Sequence, residues 1–282
     1  VTLMPAMDEL AASCGTARPA NPFADHERPG YRIRAFVDRF IQTPAGPVPV
    51  VPPKMSFRDF VSTFCVRLGI GRYEYKVAPG LWAVGNPHAE SDVLVTANFK
   101  LTFDHLRTEL DGVDAWILVL DTKGINVWCA ASEGNFATAE LVSRIRKTNL
   151  DKVVSHRRLI VPQLGATGVS AGAVKKRSGF RVVYGPVRAE DIPAFLSNSR
   201  TADPAMRQVT FTLYERFILT PVEVQIVIKP ALITMLALFI LSGFGPGVFS
   251  FSALWHRGWS AVLALTAGIL SGAVITPILL PH

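Results

Sequence analysis

The stretch Leu118–Thr138, LVLDTKGINVWCAASEGNFAT, decides how the chain is read. An apolar, β-prone run from Ala115 to Leu120 ends at Asp121 and reads as a buried strand. Lys123-Gly124 then supplies a turn, with Asn126-Val127-Trp128-Cys129 just beyond it. After the link Ala130–Gly134, a helix is predicted to begin near Phe136. Strand, loop and helix in that order put Cys129 past the carboxyl end of a strand, the edge where ligands sit in open α/β sheets. Trp128 offers a large flat apolar face, and the small residues that follow let a bulky group approach the backbone. Taken alone, Cys129 reads equally well as a small buried hydrophobe.

The same alternation continues on both sides. Asp92–Ala97 reads as a strand closed by Asn98-Phe99-Lys100 at the edge that holds Cys129. Thr102–Gly112 follows as a helix with Phe103, Leu106 and Leu110 inward. Downstream come a helix over Ala137–Thr148, a strand over Arg158–Pro162, a helix over Ala171–Arg177 and a strand over Phe180–Tyr184. A last helix, Ala189–Ser197, tolerates Pro193 in its first turn. This spacing predicts an α/β fold: a mostly parallel, Rossmann-like sheet covered by helices. The loop Leu164–Gly172 precedes a helix, so Gly165 and Gly168 are candidates for an anion cradle or for a tight turn. It lacks both GxGxxG and a GKS/T ending. His156, Arg157 and Arg158 read as solvated charge at a strand start.

Residues 1–55 are rich in proline and read as loops, with Arg32–Phe40 a short strand or helix. Phe57–Gly69 reads as an amphipathic helix capped by Ser56, with Asp59 in the capping-box position. Phe57, Phe60, Val61, Phe64, Cys65 and Leu68 share one face, which is expected to enter the core. At the other end, two of the 29 basic and one of the 22 acidic residues lie from Val222 onward. One membrane span of about 20 residues is expected from the Val222–Trp255 region despite a break at Gly243–Gly247, and a clearer one over Trp259–Leu280. Gly268, Ser271, Gly272 and Ala273 offer small residues for helix packing. Arg207, Arg216 and Lys229 outweigh Arg257, so the positive-inside rule puts the α/β domain in the cytoplasm. The division is therefore 1–72 loop-rich and helical, 73–208 an α/β domain, and 209–282 a membrane domain, with a C-terminal truncation expected.

The net charge of +7 fits a basic domain resting on anionic lipid, and no nucleic-acid motif is present. The three cysteines, Cys14, Cys65 and Cys129, form no CxxC pair, which fits a reducing compartment. They are too few for a self-contained iron–sulfur cluster, which needs about four thiolates. No apolar leader segment stands within Val1–Arg34.

Asn126–Ala131 resembles the corrinoid-binding motif Asn-Val/Ile-Trp-Cys-Ala-Ala/Gly-Gly-Lys of the membrane-bound corrinoid proteins of microbial mercury methylation, relatives of the corrinoid iron–sulfur proteins of the acetyl-CoA pathway. The resemblance extends through Val77–Pro87, Val95–Leu101, Asp114–Gly124, His156–Val169, Val174–Lys176 and Tyr184–Arg188, and covers roughly residues 75–282. Ser132 and Glu133 stand where the family has Gly and Lys, and Ala137 replaces a common Gly. Serine restricts access to positive φ, and glutamate works against a nearby thiolate.

The resemblance implies a cobalamin-type corrinoid, with Cys129 the lower axial cobalt ligand. Asn126, Val127, Trp128, Ala130 and Ala131 would shape the motif, Thr96, Ala97 and Asn98 would lie near the ring, and Gly165 and Gly168 would support the nucleotide tail. It implies methyl transfer to Hg(II), a ferredoxin-like iron–sulfur reductase, a methyl-donor methyltransferase, and a multi-pass place in the cytoplasmic (inner) membrane. The departures keep two other readings open: a membrane-anchored corrinoid methyl carrier with a different acceptor, and a non-catalytic remnant. The family carries more spans than the two read here, which underlies the expected truncation.

Overall fold

The computed structural model describes residues 36–280; Cys14 and most of the proline-rich start lie outside them. A seven-stranded sheet is the backbone of the domain. Its strands are β1 (Arg39–Thr43), β2 (Gly46–Val50), β3 (Gly80–Val84), β4 (Val93–Ala97), β5 (Ala115–Leu120), β6 (Arg158–Val161) and β7 (Arg181–Tyr184), in the order β1-β2-β3-β5-β4-β6-β7. The run β5-β4-β6-β7 is parallel throughout. β4 and β5 are buried at every position, because central strands covered on both faces need apolar residues on both. Val95, Leu118 and Leu120 pack on one side with Leu141 and Phe180, while Leu94, Ile117 and Val119 pack on the other with Phe103 and Phe195. Between and around the strands lie α1 (Phe57–Arg67), α2 (Lys100–Thr108), α3 (Val127–Ser132), α4 (Thr138–Lys147), α5 (Leu150–Val153), α6 (Ala171–Ser178) and α7 (Ile192–Ser197).

The expected α/β fold is present, with additions. The hairpin β1–β2 lies in a stretch read as loop because of its prolines, and β3 pairs antiparallel with β5. β2 meets β3 only at Val50↔Ala83, so Pro47 and Pro49 sit where no second neighbour asks for their missing N–H. Arg158 is not simply solvated: with Arg200 it pairs with Asp92, at 3.1 and 2.8 Å, and the pairing outweighs burial to lower the Asp92 pKa. Arg157 stacks on Phe180.

α1 corrects a second expectation. Its Ser56–Asp59 capping box is present, but the helix is turned with Asp59 and Val66 inward. Phe57, Phe60, Val61, Phe64 and Leu68 are exposed, and Cys65 is half-buried rather than in the core. A buried charge cluster sets the orientation. Asp59 accepts from Lys100 at 2.9 Å and from Arg107 at 3.0 Å, while Asp104 accepts from the same two cations at 2.5 and 2.8 Å. Burial pushes the Asp59 pKa up, but the bonds from Lys100 and Ser56 outweigh it and hold it at about 2. The Lys100 pKa is raised: burial opposes this, and Asp104 and Asp59 overcome it.

Two helices, α8 (Leu213–Leu241) and α9 (Phe251–Leu270, continuing through a π-turn at Ser271–Ile275 to Leu279), are long and apolar enough to cross a membrane. The break at Gly243–Gly247 belongs to a small hairpin of β8 (Phe244–Gly245) and β9 (Val248–Phe249), so Trp255 belongs to α9 and not to the first span. α8 and α9 meet at Gly258, where an added Cβ would lie 2.6 Å from the Phe239 ring. An added Cβ at Gly268 or Gly272 would meet nothing within 4 Å beyond its own helix backbone, so among the described residues no helix packs closely on them.

Asp59→Asn leaves Lys100 and Arg107 short of compensating charge in the interior, and a loss of about 3–5 kcal/mol is expected by denaturant unfolding in detergent. The Asp59 pKa lies below its ordinary 3.8, so its contribution is complete above about pH 4 and is lost as pH falls toward 2. Wild-type stability should fall across that window, and Asp59→Asn should flatten the fall.

Candidate functional site

Parallel pairing brings the carboxyl ends of β4, β5, β6 and β7 to one edge. Asn98 follows β4 and is fully buried. Its Oδ1 accepts from Thr122 N (3.1 Å), Thr122 Oγ1 (2.8 Å) and Gly124 N (2.9 Å), and its Nδ2 donates to Asp121 Oδ1 at 3.3 Å. One side chain thus fixes the turn after β5, in which Lys123 and Gly124 both take positive φ. Thr122 Oγ1 also lies 2.7 Å from Ile125 O, so its one proton is shared between that carbonyl and Asn98 Oδ1, which carries the constraint to the next residue.

Asn126–Cys129, expected as a loop, begins the short helix α3. Asn126 is its N-cap, its Oδ1 accepting from Cys129 N at 2.9 Å. The cap turns Val127, Ala130 and Ala131 inward and leaves Trp128, Cys129, Ser132 and Glu133 exposed. Trp128 is 52% exposed, well above what a packed indole shows. Cys129 is therefore no small core residue.

The departures at 132 and 133 are absorbed locally. Ser132 has right-handed helical geometry, so glycine's freedom is not needed there; Gly134 takes the positive φ instead. Ser132 Oγ donates to Trp128 O, and Glu133 Oε2 accepts from Asn135 Nδ2 at 3.2 Å. Ala137 caps α4 in extended geometry that any residue adopts.

Gly165 and Gly168 lie against α3. A Cβ on Gly165 would stand 2.5 Å from the Phe136 ring, and one on Gly168 would stand 2.1 Å from Phe136 O and 3.3 Å from the Ala131 Cα. Their close approach is to Phe136 and Ala131, so packing under the α3–α4 segment accounts for both glycines without an anion. Gly168 O also accepts from Thr138 N at 3.1 Å.

Beside α3 opens a cavity of about 720 Å³, of the size that takes organic ligands, about 300–1,000 Å³. Thr96, Asn126, Val127 and Trp128 form one wall, with Pro162 and Leu164 after β6. Gly185–Glu190 after β7 and Thr212, Tyr214 and Glu215 at the start of α8 also line it. Arg188 bridges the two parts of the chain, donating to Glu190 and to Glu215 at 2.6 Å each. Of the predicted residues, Thr96, Asn126, Val127 and Trp128 line the cavity; Cys129 is on the same turn but does not line it. Ala97, Ala130 and Ala131 are core, and Asn98 holds the turn rather than facing the space. Gly185–Arg188 entered the sequence reading only as part of the resemblance and not as site residues, and the α8 contribution left no local signal. Among the described residues no three His, Cys, Asp or Glu gather as a metal site.

Residues 63–196 match the CO dehydrogenase/acetyl-CoA synthase delta subunit family. The gamma subunit of the acetyl-CoA decarbonylase/synthase complex of Archaeoglobus fulgidus is 32% identical over 130 residues, 45% of this chain and 27% of that one. Its counterpart in Methanopyrus kandleri is 34% identical over 127 residues, 44% and 27% respectively. The corrinoid/iron-sulfur protein large subunit of Moorella thermoacetica is 32% identical over 122 residues, 43% and 27% respectively. The chain thus spans about a quarter of the length of these curated relatives. None of these names mentions mercury; they fall on the corrinoid iron–sulfur side of the resemblance. α8 and α9 lie outside the family match.

Asn98→Ala strips the Thr122 and Gly124 N–H groups of their buried acceptor, while the Thr122 hydroxyl keeps Ile125 O. A loss of about 2–4 kcal/mol is expected, with faster amide exchange over 121–129 and unchanged exchange in β6 and β7. Exchange confined to Asn98's own neighbours on β4 would show that the turn is held by other means.

Proposed function

We propose that this chain is a membrane-anchored corrinoid protein that hands a methyl group to a soft acceptor, Hg(II), giving methylmercury. The observation that carries the proposal is the exposed Cys129 on an Asn126-capped turn whose Asn126, Val127 and Trp128 line the cavity, inside residues 63–196, which match the CO dehydrogenase/acetyl-CoA synthase delta subunit family. The residues suit such a group. Among the described residues a single soft donor stands clear of any carboxylate–histidine cluster, an exposed indole precedes it, and the cavity beside its turn is mostly apolar.

When bound, the corrinoid supplies a cobalt-held methyl group that leaves toward a soft acceptor. Cys129 would be the residue that holds the metal, as a thiolate. Asn126 holds the first turn of α3 and so the direction of the thiol. Trp128 and Thr96 line the cavity, where the indole would cover apolar ligand surface. Asn98 acts at one remove, by fixing the turn that carries them. Gly165, Gly168 and Phe136 form the floor under α3. Electrons come from a ferredoxin-like iron–sulfur reductase and the methyl group from a separate methyltransferase. α8 and α9 anchor the chain in the cytoplasmic membrane as part of a multi-pass domain, with the α/β domain on the cytoplasmic side. The family-specific Asn-Val-Trp-Cys-Ala-Ala run favours Hg(II); Ser132 and Glu133 favour the second reading, a methyl carrier with another acceptor.

The purified full chain, reconstituted with cobalamin, should show an absorption spectrum that changes in Cys129→Ala. The methylated protein should give methylmercury on addition of Hg(II) with thiols, and Cys129→Ala should lose more than about 100-fold of that transfer, beyond the usual cost of altering an outer-shell residue. Ser132→Gly with Glu133→Lys should raise it. Corrinoid binding without methylmercury would select another acceptor, and absence of corrinoid binding would end the proposal.

A further inference from the structure

α1 is amphipathic with its faces reversed relative to a core helix. Its inward side carries Asp59, Ser62 and Val66, with Ser62 Oγ within 2.8 Å of Tyr75 OH. Its outward side carries Phe57, Phe60 and Phe64, 81%, 66% and 59% exposed, with Val61 and Leu68 among them. At 3.6 residues per turn these five form one continuous stripe, and Arg58 and Arg67 fall on its two flanks. A stripe of large apolar side chains edged by arginines that can reach outward is the composition of a helix lying flat in a lipid interface.

The position of α1 points the same way. At its carboxyl end Gly69 rests against α8, where an added Cβ would stand 2.2 Å from the Gln225 Cγ. Gln225 lies between Glu223 and Lys229, the last charged residues before the uncharged run Pro230–Leu241. α1 therefore meets α8 at the level where its polar character gives way to apolar. On the same stretch of α8, Ile226 and Ile228 are exposed as well.

We infer that α1 is an in-plane membrane helix, its Phe57–Phe60–Phe64 stripe inserted among lipid acyl chains and Arg58 and Arg67 at the headgroups. The inference rests on the reading of α8 as a membrane span. Thr63 and Arg67 of α1 and Tyr214 of α8 border the same cavity. Two lipid-contacting helices thus frame it and hold it at the membrane surface. Anionic lipid suits the arginine flanks and the basic character of the chain.

The test uses the full chain with Cys14, Cys65 and Cys129 changed to Ser, reconstituted into phosphatidylethanolamine–phosphatidylglycerol vesicles. Nitroxide spin labels are placed singly at Val61→Cys and Phe64→Cys, with Leu238→Cys on α8 and Lys175→Cys on α6 as references. Labels at 61 and 64 should collide with lipid-soluble oxygen and be shielded from a water-soluble nickel chelate, as at 238 and opposite to 175. Adding Phe60→Asp should shift the ratio at 61 toward the chelate without loss of helix content, since Phe60 makes no part of the core. Labels at 61 and 64 that behave like 175 would overturn the inference, as would shielding from both agents, which would mean cover by protein. Chelate access at 238 as well would instead overturn the span reading on which the inference depends.

Discussion

Asn98 is the point on which the site's geometry turns. A fully buried primary amide can be tolerated only if its donors and acceptors are met, and here its oxygen takes three bonds from one turn and its nitrogen gives one back. The partners lie on the chain leaving β5, the neighbour of β4, so the amide ties two adjacent strand ends together. From that fixed turn the chain has one residue, Ile125, before Asn126 starts the next helix. Asn126 then satisfies the N–H of Cys129 itself. The exposed thiol is thus the last link in a short series of satisfied polar groups that begins in the core.

A second set of buried polar groups works on a larger scale. Asp59, Lys100, Asp104 and Arg107 are nearly removed from water and balance in formal charge. Such a cluster adds little net stability over an apolar core, but breaking it is costly, so it specifies one orientation of α1 against α2. That orientation turns the apolar stripe of α1 outward. The polar side of the helix is the buried one because its partners are two cations that must be neutralised.

Much of this was legible in the sequence, and the failures have physical causes. The central strands announced themselves because full burial requires unbroken apolar runs such as Ala115–Leu120 and Val93–Ala97. The β1–β2 hairpin was hidden by Pro47 and Pro49, which a strand accepts when no second neighbour pairs there. The stripe of α1 was visible but its direction was not, since periodicity says which residues share a face and nothing about what covers it. Cys129 and Trp128 were placed at the correct edge, although as a capped helical turn and not a loop. Asn98, Gly165 and Gly168 could be read either for a ligand or as local structure; Asn98 bonds the turn and the glycines admit Phe136, because buried polar satisfaction and close packing leave the same marks in a sequence as ligand contact. Part of the cavity lining comes from residues 185–190 and 212–218, which only the tertiary fold brings near.

The chemistry proposed here asks little of most residues and a great deal of one sulfur. A soft thiolate suits a soft metal centre, and an exposed cysteine on a rigidly capped turn can be offered to a large flat ligand without moving the sheet. The departures at Ser132 and Glu133 leave the backbone of α3 intact, so the turn that presents the thiol is formed without the family Gly-Lys pair. The direct test is X-ray absorption at the cobalt edge of the corrinoid-loaded full chain. A sulfur neighbour in the first coordination shell of cobalt, absent from Cys129→Ala, is the result this account requires. A shell of nitrogen and oxygen alone, identical in both proteins, would contradict it.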